Sequence, residues 1–169
     1  MISVDSDLYR EHPDWALHIP DRPRTETRNQ LVLDLTRQDV RDFIVDSVAT
    51  VLGSANITYL KWDFNRHLSD VGSVAWPAEQ QGELFHRFVL GVYDVFRRVT
   101  EQWPDVLFES CSGGGGRFDM ALMQYMPQIW ASDNTDAIGR QKIQYGTSIA
   151  YPATVSTYWF GKVREWSTF

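Results

Sequence analysis

The sequence predicts an α/β fold of parallel strands joined by crossover helices. Strand-length apolar runs alternate with stretches of helical periodicity, the rhythm of βα units. Polar residues gather just past the C-terminal ends of those runs: Asp63, Asn65 and Arg66; Cys111 and Ser112; Ser132 and Asp133. Both β/α barrels and open α/β sheets build their active sites at that edge. Four strands are expected in 169 residues, whereas a complete barrel takes about 250. The chain therefore reads either as a small α/β sheet or as part of a barrel.

Each element has a local justification. The first thirty residues are polar and rich in Pro and Arg, which predicts a long loop. Leu31-Val32-Leu33-Asp34-Leu35 is a short apolar run that fits a strand buried on both faces. Thr36 to Asp39 has the spacing of a capping box, with Asp in place of Glu or Gln. Val40, Phe43, Ile44, Val48 and Val51 then recur at helical spacing, and Gly53 ends that helix. A strand is expected over Ile57–Asp63. After a polar loop to about Ala78, Phe85, Phe88, Val89, Val92, Phe96 and Val99 predict a second amphipathic helix, closed by Pro104. Val106–Ser110 reads as a strand leading into Gly113-Gly114-Gly115-Gly116. A short helix over Phe118–Tyr125, a strand over Gln128–Asp133 and a helix from about Asp136 to Gly146 complete the pattern.

Composition excludes several classes. Hydrophobic residues make up 43% and charged residues 22%, as in an ordinary soluble protein, and the net charge is −6. A nucleic-acid surface needs a basic stripe, and no run of five Lys or Arg exists. No apolar run approaches the roughly 20 residues of a membrane span. Met1-Ile2-Ser3-Val4-Asp5 turns acidic at once, unlike a signal peptide, and the one cysteine, Cys111, has no internal disulfide partner. A cytoplasmic location is the default expectation. None of the four histidines pairs at i+4 with another, so no metal is expected. Aromatics reach 14%, with seven Trp, which suits a sugar cleft as well as ordinary core packing.

The chemistry-bearing candidates are acids at strand ends. Asp63 and Asp133 each terminate an expected strand, and glycoside hydrolysis needs two carboxyls flanking the scissile bond. Helix N-capping explains such acids equally well, so both roles stay open at this point. Lys61 sits two residues before Asp63 and shares its strand face. A cation there would keep the carboxylate ionised, as a nucleophile requires. The glycine run lacks the Gly-Lys-Ser or Gly-Lys-Thr of a phosphate loop and continues into Arg117-Phe118-Asp119. It lets the backbone approach a ligand closely or adopt positive φ. Cys111 as a nucleophile has no supporting base pattern.

Three segments together resemble the α-galactosidases of glycoside hydrolase family 36. They are Lys61-Trp62-Asp63-Phe64-Asn65-Arg66, Cys111-Ser112-Gly113-Gly114-Gly115-Gly116-Arg117-Phe118-Asp119, and Trp130-Ala131-Ser132-Asp133-Asn134-Thr135-Asp136-Ala137. Asp5-Ser6-Asp7-Leu8-Tyr9 and Arg28-Asn29-Gln30 are similar as well, and the resemblance runs from about residue 4 to residue 152. It implies part of a TIM-type β/α barrel, with about four to five parallel strands in residues 1–152, and a divergent tail over 153–169. It implies retaining, two-step cleavage of terminal α-galactosyl residues from raffinose- or melibiose-type oligosaccharides, with no metal or organic cofactor. Asp63 is then the nucleophile and Asp133, not Asp136, the acid/base. Arg28, Lys61, Asn65, Cys111, Gly113 and Trp130 match the family's galactose contacts. Full-length family members are several times longer and form homo-oligomers. The barrel's first strands, with a pair of Asp residues that hold sugar hydroxyls, have no counterpart in this chain. Weak or absent activity in isolation is therefore expected, the alternative being a truncated, inactive galactose-binding remnant.

Overall fold

The computed structural model describes residues 1–152 and Val155. The expected divergent tail over 153–169 thus falls, Val155 apart, outside the described residues. The described chain divides into two compact units, Met1–Thr58 with Arg66–Val106, and Tyr59–Asn65 with the residues from Leu107 onward.

The first unit is built on the N-terminal segment and two long helices. The expected loop contains a short helix, α1 (Asp7–Glu11), whose N-cap Ser6 accepts a hydrogen bond from the Tyr9 N–H at 3.2 Å. Leu31, Val32, Leu33 and Asp34 are buried, as the apolar run predicts. The run is not a strand of the sheet, however. It makes isolated antiparallel bridges, Leu31 with Ile2 and Leu33 with Ala16. Its backbone is already engaged: Ile2 and Leu31 exchange both hydrogen bonds, and Asp34 N–H donates to the Trp15 carbonyl at 2.7 Å. Ile2, Trp15, Ala16, Leu31, Leu33 and Val40 form one core cluster there.

The capping box does not form. Helix α2 (Gln38–Gly53) has Arg37 at its N-cap and no side-chain cap bond. Thr36 is committed elsewhere, since its hydroxyl donates to Asp34 Oδ1 at 2.5 Å and accepts from Trp76 Nε1 at 2.7 Å. The buried positions of α2 are Val40, Val45 and Leu52, while Phe43 and Val51 of the expected stripe are exposed. In helix α3 (Leu84–Gln102) the buried stripe is Leu84, Phe88, Gly91, Val95 and Val99. Phe85 and Val89, expected on that face, are exposed. Gly91 explains the rotation. A Cβ there would lie 2.0 Å from the Leu35 carbonyl oxygen, so the helix packs its bare backbone on that residue. Arg41 pairs with Asp94 at 3.0 Å and Arg98 with Asp42 at 2.7 Å, linking α2 to α3.

The second unit carries the sheet. Strands β1 (Tyr59–Asp63), β2 (Leu107–Cys111) and β3 (Gln128–Ile129) are parallel in the order β1-β2-β3. The described residues thus form an α/β fold with a three-stranded sheet, fewer strands than expected. The register places Lys61 beside Glu109 and Asp63 beside Cys111. Side chains alternate across a strand, so Tyr59, Lys61 and Asp63 share a face with Glu109 and Cys111. β3 is shorter than expected because the chain leaves the ladder at Trp130, whose N–H still donates to the Ser110 carbonyl at 2.9 Å. The helix expected over Phe118–Tyr125 shrinks to a 3₁₀ turn at Leu122–Gln124, with Asp119 Oδ1 accepting from the Leu122 N–H. Helix α4 (Ala137–Ala150) is capped by Asp136, which accepts from the Gly139 N–H at 2.7 Å.

Candidate active site

Because the three strands are parallel, their C-terminal ends open at one edge. Asp63 is the last residue of β1, Cys111 the last of β2, and Trp130 follows β3 directly. Seven of the eight residues singled out in the sequence lie in this second unit: Lys61, Asp63, Asn65, Cys111, Gly113, Trp130 and Asp133. Arg28 belongs to the first unit. There, Thr27 and Gln30 exchange backbone hydrogen bonds around Arg28 (φ 57°) and Asn29 (φ 56°). That two-residue hairpin turn needs left-handed backbone at both positions, a conformation Arg rarely takes.

Asp63 is exposed and held by a side-chain amide. Asn65 Nδ2 donates to its Oδ2 at 2.5 Å, and the register sets Cys111 beside it on the neighbouring strand. Asn65 is itself fixed, because its Oδ1 accepts from the Gly113 N–H at 2.7 Å. Burial raises the pKa of the Cys111 thiol; the Gly114 N–H opposes the rise and the Asp63 carboxylate adds to it. A raised pKa favours the neutral thiol, which runs against thiolate catalysis.

Asp133 is also exposed and is oriented, among the described residues, by a bond from the buried Trp130 Nε1 to its Oδ1 at 2.7 Å. It does not cap a helix, since Asp136 takes that position. The Trp130 ring meets two cations, with Lys61 Nζ at 4.4 Å and the Arg140 guanidinium carbon at 4.7 Å from its centroid. Arg140 is fully buried and donates to the Ser132 carbonyl at 2.7 Å.

Lys61 departs from expectation. Its ion-pair partner among the described residues is Glu109, at 3.6 Å, and not Asp63. The parallel register explains this, as it sets Glu109 beside Lys61 on the neighbouring strand. Glu109 is 1% exposed and also accepts from the Tyr59 hydroxyl. Tyr59 as a residue is 45% exposed, but its hydroxyl reaches that buried carboxylate. Desolvation, followed by the bond to Glu109, pushes its pKa well above the ordinary tyrosine value. Glu109, Tyr59 and Arg140 were not singled out in the sequence. The lone acid inside Val-Leu-Phe-Glu-Ser-Cys was the available signal for the first.

The glycine run folds onto its own chain. Gly113 and Gly114 have φ of 56° and 87°. A Cβ on Gly114 would lie 2.9 Å from the Ser132 Cα, and the Gly115 N–H donates to the Ala131 carbonyl at 3.0 Å. Both uses read from the glycines, positive φ and close approach, are present, but the surface approached is the loop after β3. Ser112 Oγ donates to the Phe64 carbonyl at 2.6 Å, and Arg117 donates to the same carbonyl at 2.8 Å. Among the described residues no group of three or more His, Cys, Asp or Glu is placed to hold a metal ion. No helix among them is long and apolar enough to cross a membrane.

The melibiase family pattern matches residues 1–167. The chain belongs to the melibiase family. Among melibiase-family relatives, it is 60% identical over 152 residues to α-galactosidase AgaA of Geobacillus stearothermophilus, a match covering 90% of this chain and 21% of that protein. It is 55% identical over 157 residues to α-galactosidase Mel36A of Lactobacillus acidophilus, covering 93% of this chain and 21% of the relative. The crystal structure of AgaA, a GH36 α-galactosidase, superposes with a TM-score of 0.91 at 57% identity, over 93% of this chain and 22% of that one. A variant of AgaA in complex with raffinose gives the same TM-score at 54% identity, over 96% and 24%. The chain thus spans about a fifth of the length of the curated melibiase-family relatives it matches.

Proposed function

We propose that this chain carries the two catalytic acids of a retaining α-galactosidase, Asp63 as nucleophile and Asp133 as acid/base. The observation that carries the reading is the asymmetric environment of two exposed acids at one sheet edge. Asp63 ends its strand and is held by the Asn65 side-chain amide, which is itself fixed by the Gly113 N–H. Asp133 accepts, among the described residues, from the Trp130 indole. Two acids with unlike hydrogen-bond partners suit the two different roles that glycoside hydrolysis needs.

In the first step Asp63 attacks the anomeric carbon and forms a glycosyl ester. The glycosidic C–O bond breaks as Asp133 gives its proton to the leaving oxygen. In the second step Asp133 takes a proton from water, the water oxygen attacks the anomeric carbon, and the ester bond to Asp63 breaks. Galactose leaves with its original configuration. Asn65 holds one Asp63 oxygen in place through both steps. Lys61 and the Gly113 edge, together with the Trp130 ring, line the sugar side. The substrate class is an oligosaccharide ending in α-galactose, in keeping with the raffinose and stachyose carried by structures of the AgaA relative. The parallel strands and their helices fit a segment of a β/α barrel with its site at the C-terminal edge.

The test is turnover of 4-nitrophenyl α-galactoside. Asp63→Ala lowers it by about 10³-fold or more, and azide restores part of the rate by attacking from the vacated side. Wild-type rates in Asp63→Ala would remove the nucleophile assignment. Saturable galactose binding without turnover by the wild-type chain would favour a binding remnant.

A further inference from the structure

Glu109 has no role in the chemistry above, yet it is a carboxylate buried to 1% exposure in the middle strand of the sheet. A buried carboxylate is costly unless it is paired and hydrogen-bonded. Glu109 meets both conditions through the site face. One oxygen accepts from the Tyr59 hydroxyl, and the other lies 3.6 Å from Lys61 Nζ. The same ammonium also meets the Trp130 ring at 4.4 Å. The ammonium thus contacts both a fixed anion and a fixed aromatic face, while the Lys61 side chain keeps 39% of its surface open. A lysine on a four-carbon stem is otherwise a mobile point charge. The nearby Asp63 carboxylate, two residues along on the same face, is the competing partner that an unanchored Lys61 would reach for.

We propose that Glu109 is a positioning residue for Lys61, holding the ammonium against Trp130 so that its remaining donors face the sugar and Asp63 is left free to react. The part of this that concerns sugar rests on the α-galactosidase reading; the anchoring itself does not. Tyr59 completes the arrangement by fixing the Glu109 carboxylate in turn.

Two measurements on the full chain separate the anchoring from the reaction. The first is the rate at which Lys61 is modified by trinitrobenzenesulfonate, read by peptide mass spectrometry against the exposed Lys142. Loss of a charge-assisted contact corresponds to about a tenfold change in availability. Lys61 is expected to react about tenfold more slowly than Lys142 in the wild type, and Glu109→Gln to remove most of that difference. An unchanged Lys61 rate in a folded Glu109→Gln protein overturns the proposal, whether or not the chain turns over substrate. Should Glu109→Gln fail to fold, Tyr59→Phe keeps the charge and removes only the hydroxyl. It is expected to speed Lys61 modification about two- to threefold, and no change there overturns the proposal equally.

The second measurement is a double-mutant cycle on 4-nitrophenyl α-galactoside. Glu109→Gln raises KM about tenfold with kcat changed far less, the mark of lost uniform binding. In a Lys61→Met background the same change has no further effect on KM. An equal KM rise in both backgrounds would show a general structural role and overturn positioning through Lys61. If modification responds to Glu109→Gln but KM does not, the anchor stands and the Lys61–sugar contact in the α-galactosidase reading falls.

Discussion

Asp34 and Asp63 each sit near the end of an apolar run, and the chain treats them in opposite ways. Asp34 in the first unit is 1% exposed, with Thr36 N–H and hydroxyl on one oxygen and the Ser73 hydroxyl on the other. Every partner is neutral, and the carboxylate's capacity is consumed in tying together its own turn and the Ser73 loop. Asp63 in the second unit is exposed, with a side-chain amide on one oxygen and a thiol nearby. It is oriented without being enclosed. The difference teaches that an acid at the end of a strand-like run is not diagnostic by itself. What separates structure from chemistry is whether the donors around it exhaust its lone pairs in the interior or leave reach toward solvent.

That contrast can be broken by exchanging the phenotypes. Asp63→Ala is expected to lose about 10³-fold or more in turnover with an unchanged denaturation midpoint. Asp34→Ala should do the reverse, losing about 3 kcal/mol of stability as Thr36 and Ser73 are left with unmet donors, measured by urea unfolding. Comparable stability losses in both variants would erase the distinction. The later pair of acids sharpens it at a smaller scale. Asp136→Ala removes a helix cap and is expected to cost about 1 kcal/mol, visible in the thermal midpoint, while Asp133→Ala leaves that midpoint in place and lowers turnover. The smallest effect concerns pH. The Cys111 pKa is raised in the folded state, so its contribution is complete below the ordinary thiol value and is lost as pH rises through the folded one. Tyr59 acts in the same direction. Thermal midpoints should therefore fall above about pH 9, and Cys111→Ala should flatten that fall; an equally steep decline in the variant would remove Cys111 as a source.

Much of this was legible from residues alone. The end of β1 at Asp63, the Lys61–Asp63 alternation and the need for glycine in the Gly113–Gly116 run follow from local periodicity and backbone geometry, and the structure keeps them, whereas the strand expected to reach Asp133 stops at Ile129. What was not legible depended on which surfaces meet. The helical stripe of α3 is centred on Gly91, which carries no hydrophobic signal, because contact there is made by backbone. Thr36 has the spacing of a cap but is recruited by Asp34 and Trp76, the latter forty residues away. Leu31–Leu35 has the composition of a sheet strand, yet its hydrogen bonds go to the N-terminal segment. The ion pair of Lys61 with Glu109 is not legible either, because strand register, which brings in Glu109, is not written in the strand itself.

The loops that follow the three strands are joined in series by bonds that end on the main chain. Asn65, two residues past Asp63, grips the Gly113 N–H, and Gly115, two residues further, grips the Ala131 carbonyl, two residues short of Asp133. The spacing between the two acids is thus measured out by one side-chain amide and a run of peptide units, a ruler made mostly of main chain. Replacing sugar-facing side chains can retune what is recognised, whereas lengthening that glycine segment by a single residue would change the ruler and move one acid away from the other.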